Sequence, residues 1–151
     1  FGLIDNGKFV YYSYLGKLEA IDLATGNLVW TTSLGTEGAK GLYKKNDRYL
    51  TLTVRETILD IHTINPASGD VENTLTLTLA PDNQFDDFGA TIFEDYLFFV
   101  QKFNGASPPD PKLTMATLDG TVLWTTEIAD TFYNQWLLQT PTGSYYNGYQ
   151  Y

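Results

Sequence analysis

The sequence predicts an all-β fold, a β-propeller of four-stranded antiparallel blades, and three observations carry this prediction. Three times a glycine ends a tight turn and opens a β-rich run, at Gly26, Gly69 and Gly120, with spacings of 43 and 51 residues. The chain holds 11 Tyr, 9 Phe and 3 Trp, and aromatic residues suit pleated, half-buried strands. A repeat of about 40–50 residues that contains only strands and turns is typical of propeller blades.

Alternation of apolar and polar residues between turn signals predicts four strands in each of three blades, followed by two strands of a fourth. Asn6-Gly7 and Asp119-Gly120 supply the positive φ angles that tight hairpins require. Propellers usually contain about four to eight blades, so about three and a half blades indicate a partial propeller. Further blades of a larger chain, a protein partner or a second copy (a homo-oligomer) would complete it. The predicted blades are residues 1–34, 39–79, 88–128 and 133–151.

The first repeat carries a family resemblance. The pattern Ala-x-Asp-x-x-Thr-Gly-x-x-x-Trp, from Ala20 to Trp30, resembles the repeat of the quinoprotein, or PQQ-like, β-propellers. The third repeat keeps the glycine and the tryptophan, whereas the second keeps only the glycine and has Asn73 at the tryptophan position. The resemblance implies that the tryptophan docks against the neighbouring blade and that Thr-Gly forms the turn between the last two strands. It assigns blade docking to Trp30, Trp124, Gly26, Gly69 and Gly120.

Composition excludes several classes of function. The net charge is −9, from 18 acidic and 9 basic residues, which argues against a nucleic-acid partner because phosphates need Lys and Arg. The absence of cysteine excludes disulfides, thiolate metal sites and a cysteine nucleophile. No apolar stretch reaches the length of about 18 residues that a transmembrane helix requires. An acidic, Cys-free chain rich in Thr, Asn and Tyr favours an extracellular, cell-surface or periplasmic location.

The longer, irregular loops are predicted to lie on one face of the blades, where binding residues usually concentrate. These loops are 35–40, 80–89, 103–112 and 129–132. Aromatic side chains provide large rigid contact area for a protein or glycan partner. In the alternative interpretation the same rings fill the space between blades. The candidate partner-binding residues are Phe85, Phe88, Phe103, Asp110, Phe132 and Trp136.

One acidic loop is a candidate metal site. Asp82, Asp86 and Asp87 would supply carboxylate oxygens, the ligands that calcium prefers. The loop lacks the mid-loop glycine of a calcium-binding loop, so a solvated acidic loop is the alternative. The single histidine, His62, lies two residues from Asp60 on the same strand face. This spacing allows either an Asp–His pair or a structural histidine.

Two functions remain open from the sequence. The first is a non-catalytic binding or assembly module without a cofactor, which recognises protein or glycan through its loop face or its edge strands. The final strand, Ser144–Tyr151, has no Pro or charge to protect its edge. The second is a segment of a PQQ-dependent quinoprotein dehydrogenase, for which the resemblance implies pyrroloquinoline quinone and calcium. Such enzymes use a vicinal cysteine pair and a catalytic Asp, neither of which this sequence matches, so no catalytic residue is assigned and the first function is favoured.

Overall fold

The computed structural model describes residues 2–13, 16–35, 39–81, 83–103, 111–128, 135–140 and 143–148. Within these ranges every regular element is a β-strand, which confirms the predicted all-β class. No helix long and apolar enough to cross a membrane occurs among the described residues. The strands are β1 (Gly2–Asp5), β2 (Lys8–Ser13), β3 (Lys17–Asp22), β4 (Leu28–Ser33), β5 (Ala39–Lys45), β6 (Arg48–Arg55), β7 (Ile58–Ile64), β8 (Val71–Thr78), β9 (Asn83–Phe93), β10 (Tyr96–Phe103), β11 (Lys112–Thr117), β12 (Val122–Glu127), β13 (Gln135–Thr140) and β14 (Gly143–Gly148).

The strands form three four-stranded sheets and one hairpin. The sheet orders are β1-β2-β3-β4, β5-β6-β7-β8 and β9-β10-β11-β12, and β13 pairs with β14. Each strand therefore pairs with its neighbours along the chain, as in an antiparallel meander. We call the three sheets blade one, blade two and blade three. They confirm the predicted architecture of four-stranded antiparallel blades.

The chain divides into two compact units, and the division runs through blade two. One unit comprises Phe1–Thr53 with Asp60–Thr74, and the other comprises Val54–Leu59 with Leu75–Tyr151. The first unit packs around a core of apolar side chains from blades one and two. That core consists of Val10, Leu18, Ala20, Trp30, Tyr49 and Ile64. In the second unit the buried apolar side chains of blade three include Ile92, Leu97, Phe99 and Ala116.

The repeated turn of blade one is held by its aspartate. Asp22 Oδ1 accepts hydrogen bonds from the backbone nitrogens of Ala24 and Thr25, at 3.0 and 2.7 Å, and from the Thr25 hydroxyl at 2.8 Å. These hydrogen bonds lower the pKa of Asp22, and the bond from the Thr25 hydroxyl contributes most. Gly26 then takes φ +72°, a conformation that side chains other than glycine rarely adopt. The Asp-x-x-Thr-Gly pattern is therefore a local turn with its own hydrogen bonds.

Blade two keeps this turn although its sequence has diverged. Asn65 Oδ1 accepts from the backbone nitrogens of Ala67 and Ser68, at 2.9 and 3.4 Å. Gly69 takes φ +79° and donates to the carbonyl of Asn65 at 2.8 Å, as Gly26 does to Asp22 at 2.8 Å. An asparagine side chain has the same acceptor oxygen as aspartate, which explains why the turn survives the exchange.

A one-residue β-bulge interrupts the outer strand of blades one and three. In blade one Ala20 pairs with Trp30, but the next residue, Ile21, pairs with Leu28. Blade three has the same shift: Met115 pairs with Trp124, but the next residue, Ala116, pairs with Val122. Trp30 and Trp124 therefore occupy equivalent positions, each directly after the extra residue of a bulge.

The predicted loop 80–89 is wrong from Asn83 onward, where the structure has a strand. Strand β9 begins at Asn83, and its first residues pair with the end of β10, Phe85 opposite Gln101. Phe85 is buried, and its ring lies edge-on to Phe99 at a centroid distance of 5.2 Å. Pairing with a neighbouring strand and burial of this ring outweigh the local preference of the acidic residues for a loop.

Candidate functional site

One face of blade one carries a row of largely buried apolar side chains. Leu3, Val10, Ala20 and Trp30 stand directly opposite one another on four adjacent strands, and residues opposite one another in an antiparallel sheet share a face. We call this set the covered row. Val10 and Ala20 have no exposed surface and Trp30 is 7% exposed. The covered row is therefore part of the core of the first unit.

The repeated turn of blade two covers Trp30. The indole Nε1 donates to the carbonyl oxygen of Pro66 at 3.1 Å, and the Thr32 hydroxyl donates to the carbonyl oxygen of Gly69. A Cβ atom on Gly69 would lie only 2.7 Å from the indole ring. Glycine is thus required here both by the positive φ and by the close approach of the ring. We call this arrangement of Trp30, Thr32, Pro66 and Gly69 the Trp30 clasp.

A charged group adjoins the clasp. Asp5 accepts hydrogen bonds from the Tyr49 hydroxyl at 2.8 Å and from Lys44 Nζ at 2.6 Å. The Lys44 and Tyr49 hydrogen bonds lower the pKa of the Asp5 carboxyl, whereas burial, reinforced by Asp5, raises the pKa of Tyr49. The Tyr49 ring lies 6.4 Å from that of Trp30, between centroids. These hydrogen bonds join Asp5 of blade one to two strands of blade two and so help to fix the two blades together.

The equivalent row of blade three ends in an exposed tryptophan, whereas the tryptophan of blade one is buried. Thr91, Phe98, Met115 and Trp124 are opposite one another on β9 to β12, and we call them the blade-three row. Trp124 is 42% exposed and touches the Phe98 ring edge-on at 6.2 Å. Every side chain of β12 is exposed. In the described part of the chain the indole ring of Trp124 is therefore partly exposed to solvent. The resemblance instead implies that this ring is buried against a neighbouring blade.

The turn of blade three packs against leucine side chains of blade two, whereas the turn of blade two packs against a tryptophan of blade one. A Cβ atom on Gly120 would lie 2.6 Å from Leu77 Cδ2 and 3.8 Å from Leu75 Cδ2. The turn of blade three thus packs on the outer strand β8 through Gly120, in the way that the turn of blade two packs on Trp30. The repeat pattern predicts Asn73 at the tryptophan position and does not identify these leucines.

The second face of blade one carries another exposed apolar row. Ile4, Phe9, Ile21 and Leu28 are opposite one another on β1 to β4, and we call them the open row. Ile4 is 71% and Leu28 57% exposed, while the other two are half-buried. The adjoining turn of residues 22–27, which we call the open turn, is exposed too. A Cβ atom on Gly26 would meet no other atom within 4 Å.

His62 is part of a polar row that crosses blade two. Its Nε2 lies 2.9 Å from the Thr53 hydroxyl and its Nδ1 lies 3.0 Å from the Thr74 hydroxyl. Blade three has a similar polar row. Gln101 Nε2 donates to the Thr114 hydroxyl at 3.0 Å, and the Thr114 hydroxyl lies 2.9 Å from the hydroxyl of Thr125 on β12. Both ring nitrogens of His62 are thus bound to hydroxyls of neighbouring strands, which favours the structural of its two interpretations.

The predicted partner and metal residues are only partly described. Phe85 is a correction, because it is buried against Phe99 and does not present its ring to a partner. The backbone of Asp86, Asp87 and Phe88 lies in β9, Phe103 ends β10, and Trp136 lies in β13. Asp82, Asp110 and Phe132 lie outside the described residues.

No group of three or more His, Asp or Glu side chains able to hold a metal occurs among the described residues. The acidic side chains of the predicted metal site belong to residues whose side chains are not described.

Comparison with known proteins supports the fold. No protein-family model and no curated protein matches the sequence. Among solved structures, a europium-containing methanol dehydrogenase is 12% identical with a TM-score of 0.54, and the match covers 83% of this chain and 24% of that one. Quinohemoprotein alcohol dehydrogenase ADHIIG from Pseudomonas putida HK5 is 16% identical with a TM-score of 0.53, and the match covers 83% and 26%. BamB from Moraxella catarrhalis is 17% identical with a TM-score of 0.48, covering 83% and 36%.

The chain thus spans 24% and 26% of the lengths of the two dehydrogenases. At such low identity the likeness concerns the fold alone. Together with the three antiparallel sheets, it shows that the chain folds as part of a β-propeller.

Proposed function

We propose that this chain is a non-catalytic assembly module of the β-propeller type, which binds a β-rich protein segment on the outer face of blade three. One observation carries the proposal. Trp124 is 42% exposed at the register position where Trp30, at 7% exposure, is covered by the turn of another blade. An exposed tryptophan within an apolar row is typical of the centre of a protein interface.

The chemistry of the blade-three row favours a protein over a glycan. Phe98, Met115 and Trp124 are apolar, apart from the indole N–H, and a glycan needs several polar partners for its hydroxyl groups. A protein turn needs only what the Trp30 clasp uses, namely a backbone carbonyl to accept from Nε1 and a glycine under the ring. Burial of an indole contributes much of the energy of such contacts.

The edge of the sheet supports the same function. Strand β12 is the outermost strand of blade three, and all of its side chains are exposed. An edge strand of this kind offers backbone groups for pairing as well as side chains for packing. An extracellular, cell-surface or periplasmic location remains our proposal on the basis of the acidic, Cys-free composition. The likeness to two dehydrogenases, being one of fold, brings no reaction with it.

Hydroxyl-radical footprinting tests the proposal. The oxidation of Trp124 is measured by mass spectrometry in the isolated 151-residue chain and in the protein purified with its native partners. We expect Trp124 to be strongly protected in the native assembly, while the buried Trp30 reacts slowly in both samples and serves as the control. Equal oxidation of Trp124 in both samples would refute an interface at this face.

A further inference from the structure

We propose that a second copy of this chain occupies the blade-three face, with Trp124 of one copy bound to the open turn of the other. This inference rests on the proposed function and names its partner. The chain carries both halves of the Trp30 clasp a second time, and both of these second halves are exposed.

The open turn matches the turn that binds Trp30. Asp22 and Asn65 occupy equivalent places, because each donates its backbone N–H across the turn at 2.9 Å and accepts from the turn glycine at 2.8 Å. In this correspondence Leu23 stands at the position of Pro66, whose carbonyl accepts the indole hydrogen. Gly26 stands at the position of Gly69, on which the ring lies.

The space over the open turn is free. A Cβ atom on Gly26 would meet no atom within 4 Å, whereas a Cβ on Gly69 would lie 2.7 Å from the Trp30 ring. Leu23 is 50% exposed, and the open row beside it ends in Leu28, which is 57% exposed. The open turn therefore has the same backbone shape as the turn that binds Trp30, but no indole ring lies on it.

Blade three supplies the complementary group. Trp124-Thr125-Thr126 repeats Trp30-Thr31-Thr32, and the cross-strand pairs place the two tripeptides at the same positions after the bulge. Thr126, exposed on β12, therefore corresponds to Thr32, whose hydroxyl donates to the carbonyl of Gly69. Both hydrogen-bond donors of the clasp are present on this face.

The junction continues an interface that the first unit already contains. It would join blade three of one copy to blade one of the next in the way that blade one joins blade two, and it would bury the blade-three row against the open row. Because the two surfaces differ, the contact is heterologous, and each junction uses one Trp124 and one Gly26 from different copies.

Complementation between two variants tests this arrangement by sedimentation velocity. Trp124→Ala removes the indole, and Gly26→Asn fills the space over the turn with a residue that tolerates positive φ. Gly7→Asn is the matched control, since Gly7 also has φ +72° and no atom within 4 Å of a Cβ. Circular dichroism and thermal melts check that each variant folds.

We expect the wild type and Gly7→Asn to associate, and each of the two blocked variants to sediment as a monomer. An equimolar mixture of the blocked variants should form a dimer and nothing larger, because one intact junction remains. Thr126→Val, which keeps the indole, should weaken association of the otherwise unchanged chain.

A wild-type chain that stays monomeric at all concentrations overturns the inference, as does a mixture of blocked variants that does not dimerise or blocked variants that associate like the wild type. A monomeric wild type together with protection of Trp124 in the native assembly would leave the proposed function standing. The occupant would then be further blades of a longer chain or another protein. Failure of both measurements would remove the proposed function as well.

Discussion

Trp30 donates its indole hydrogen to the carbonyl oxygen of Pro66, a residue 36 positions further along the chain, at 3.1 Å. Lys8 Nζ donates to the same oxygen at 2.8 Å. One carbonyl of the blade-two turn thus receives two donors from blade one, and it fixes the turn in position over the ring. The hydrogen bond joins the tryptophan of one repeat to the turn of the next. We therefore expect the stability of the first unit to depend on it.

The two equivalent tryptophans should differ in their contribution to stability. Trp30→Ala removes a buried ring and its hydrogen bond, and should lower the free energy of unfolding by about 3–5 kcal/mol. Trp124→Ala removes a half-exposed ring whose main ring contact is Phe98, and should cost about 0.5–1.5 kcal/mol. Urea denaturation of the isolated chain measures both values, and similar losses for the two variants would contradict the assigned environments.

The turn glycines Gly69 and Gly26 form a matched pair. An alanine at either position adopts a positive φ, which costs about 1–2 kcal/mol. At Gly69 the new Cβ also lies 2.7 Å from the indole, and overpacking of this kind adds about 1–3 kcal/mol. Thermal melts should therefore place Gly69→Ala clearly below Gly26→Ala. If the two variants melt together, the ring does not press on Gly69.

The polar row through His62 should matter for the stability of blade two. Thr53→Val replaces the buried hydroxyl that contacts Nε2 by a methyl group, and should cost about 1–3 kcal/mol because a buried polar atom loses its partner. Thr53→Ser keeps the hydroxyl and should cost only about 0.8 kcal/mol for the lost methyl group. Urea denaturation distinguishes the two, and a serine variant as unstable as the valine variant would argue against the hydrogen bond.

Acid should weaken the first unit through Asp5. The hydrogen bonds from Lys44 and Tyr49 lower the folded pKa of Asp5 below its ordinary value of 3.8. The carboxylate therefore contributes stability that is fully present above pH 3.8 and is lost as the pH falls through the lower folded pKa. Asp5→Asn should make the acid limb of the stability–pH curve flatter, and Tyr49→Phe should flatten it in part. An acid limb that is unchanged in Asp5→Asn would contradict this linkage.

Much of the fold could be predicted from the sequence because its signals are local. The turn glycines and the hairpin residues define where strands end, and these preferences belong to a few adjacent residues. The start of β9 could not be predicted, because the acidic residues around Asp86 favour a loop locally and only pairing with β10 makes them a strand.

The candidate site was less predictable, since it depends on what covers each position. Trp30 and Trp124 have the same local sequence, and nothing in that sequence distinguishes the covered ring from the exposed one. Leu77 was missed for a related reason: it lies four residues beyond the tryptophan position of its repeat and fills the gap beside Gly120 from a different register.

The bulge in the outer strand has a consequence for how such repeats change. In a regular strand, Leu28 and Trp30 would point to the same side, since they are two residues apart. The extra residue reverses the phase, so that Leu28 pairs with Ile21 on one side while Trp30 pairs with Ala20 on the other. Leu28 and Trp30 therefore face opposite sides of the blade, although only one residue separates them. Loss of a single codon here would exchange the two sides and misdirect the ring, whereas most point substitutions would leave its direction intact.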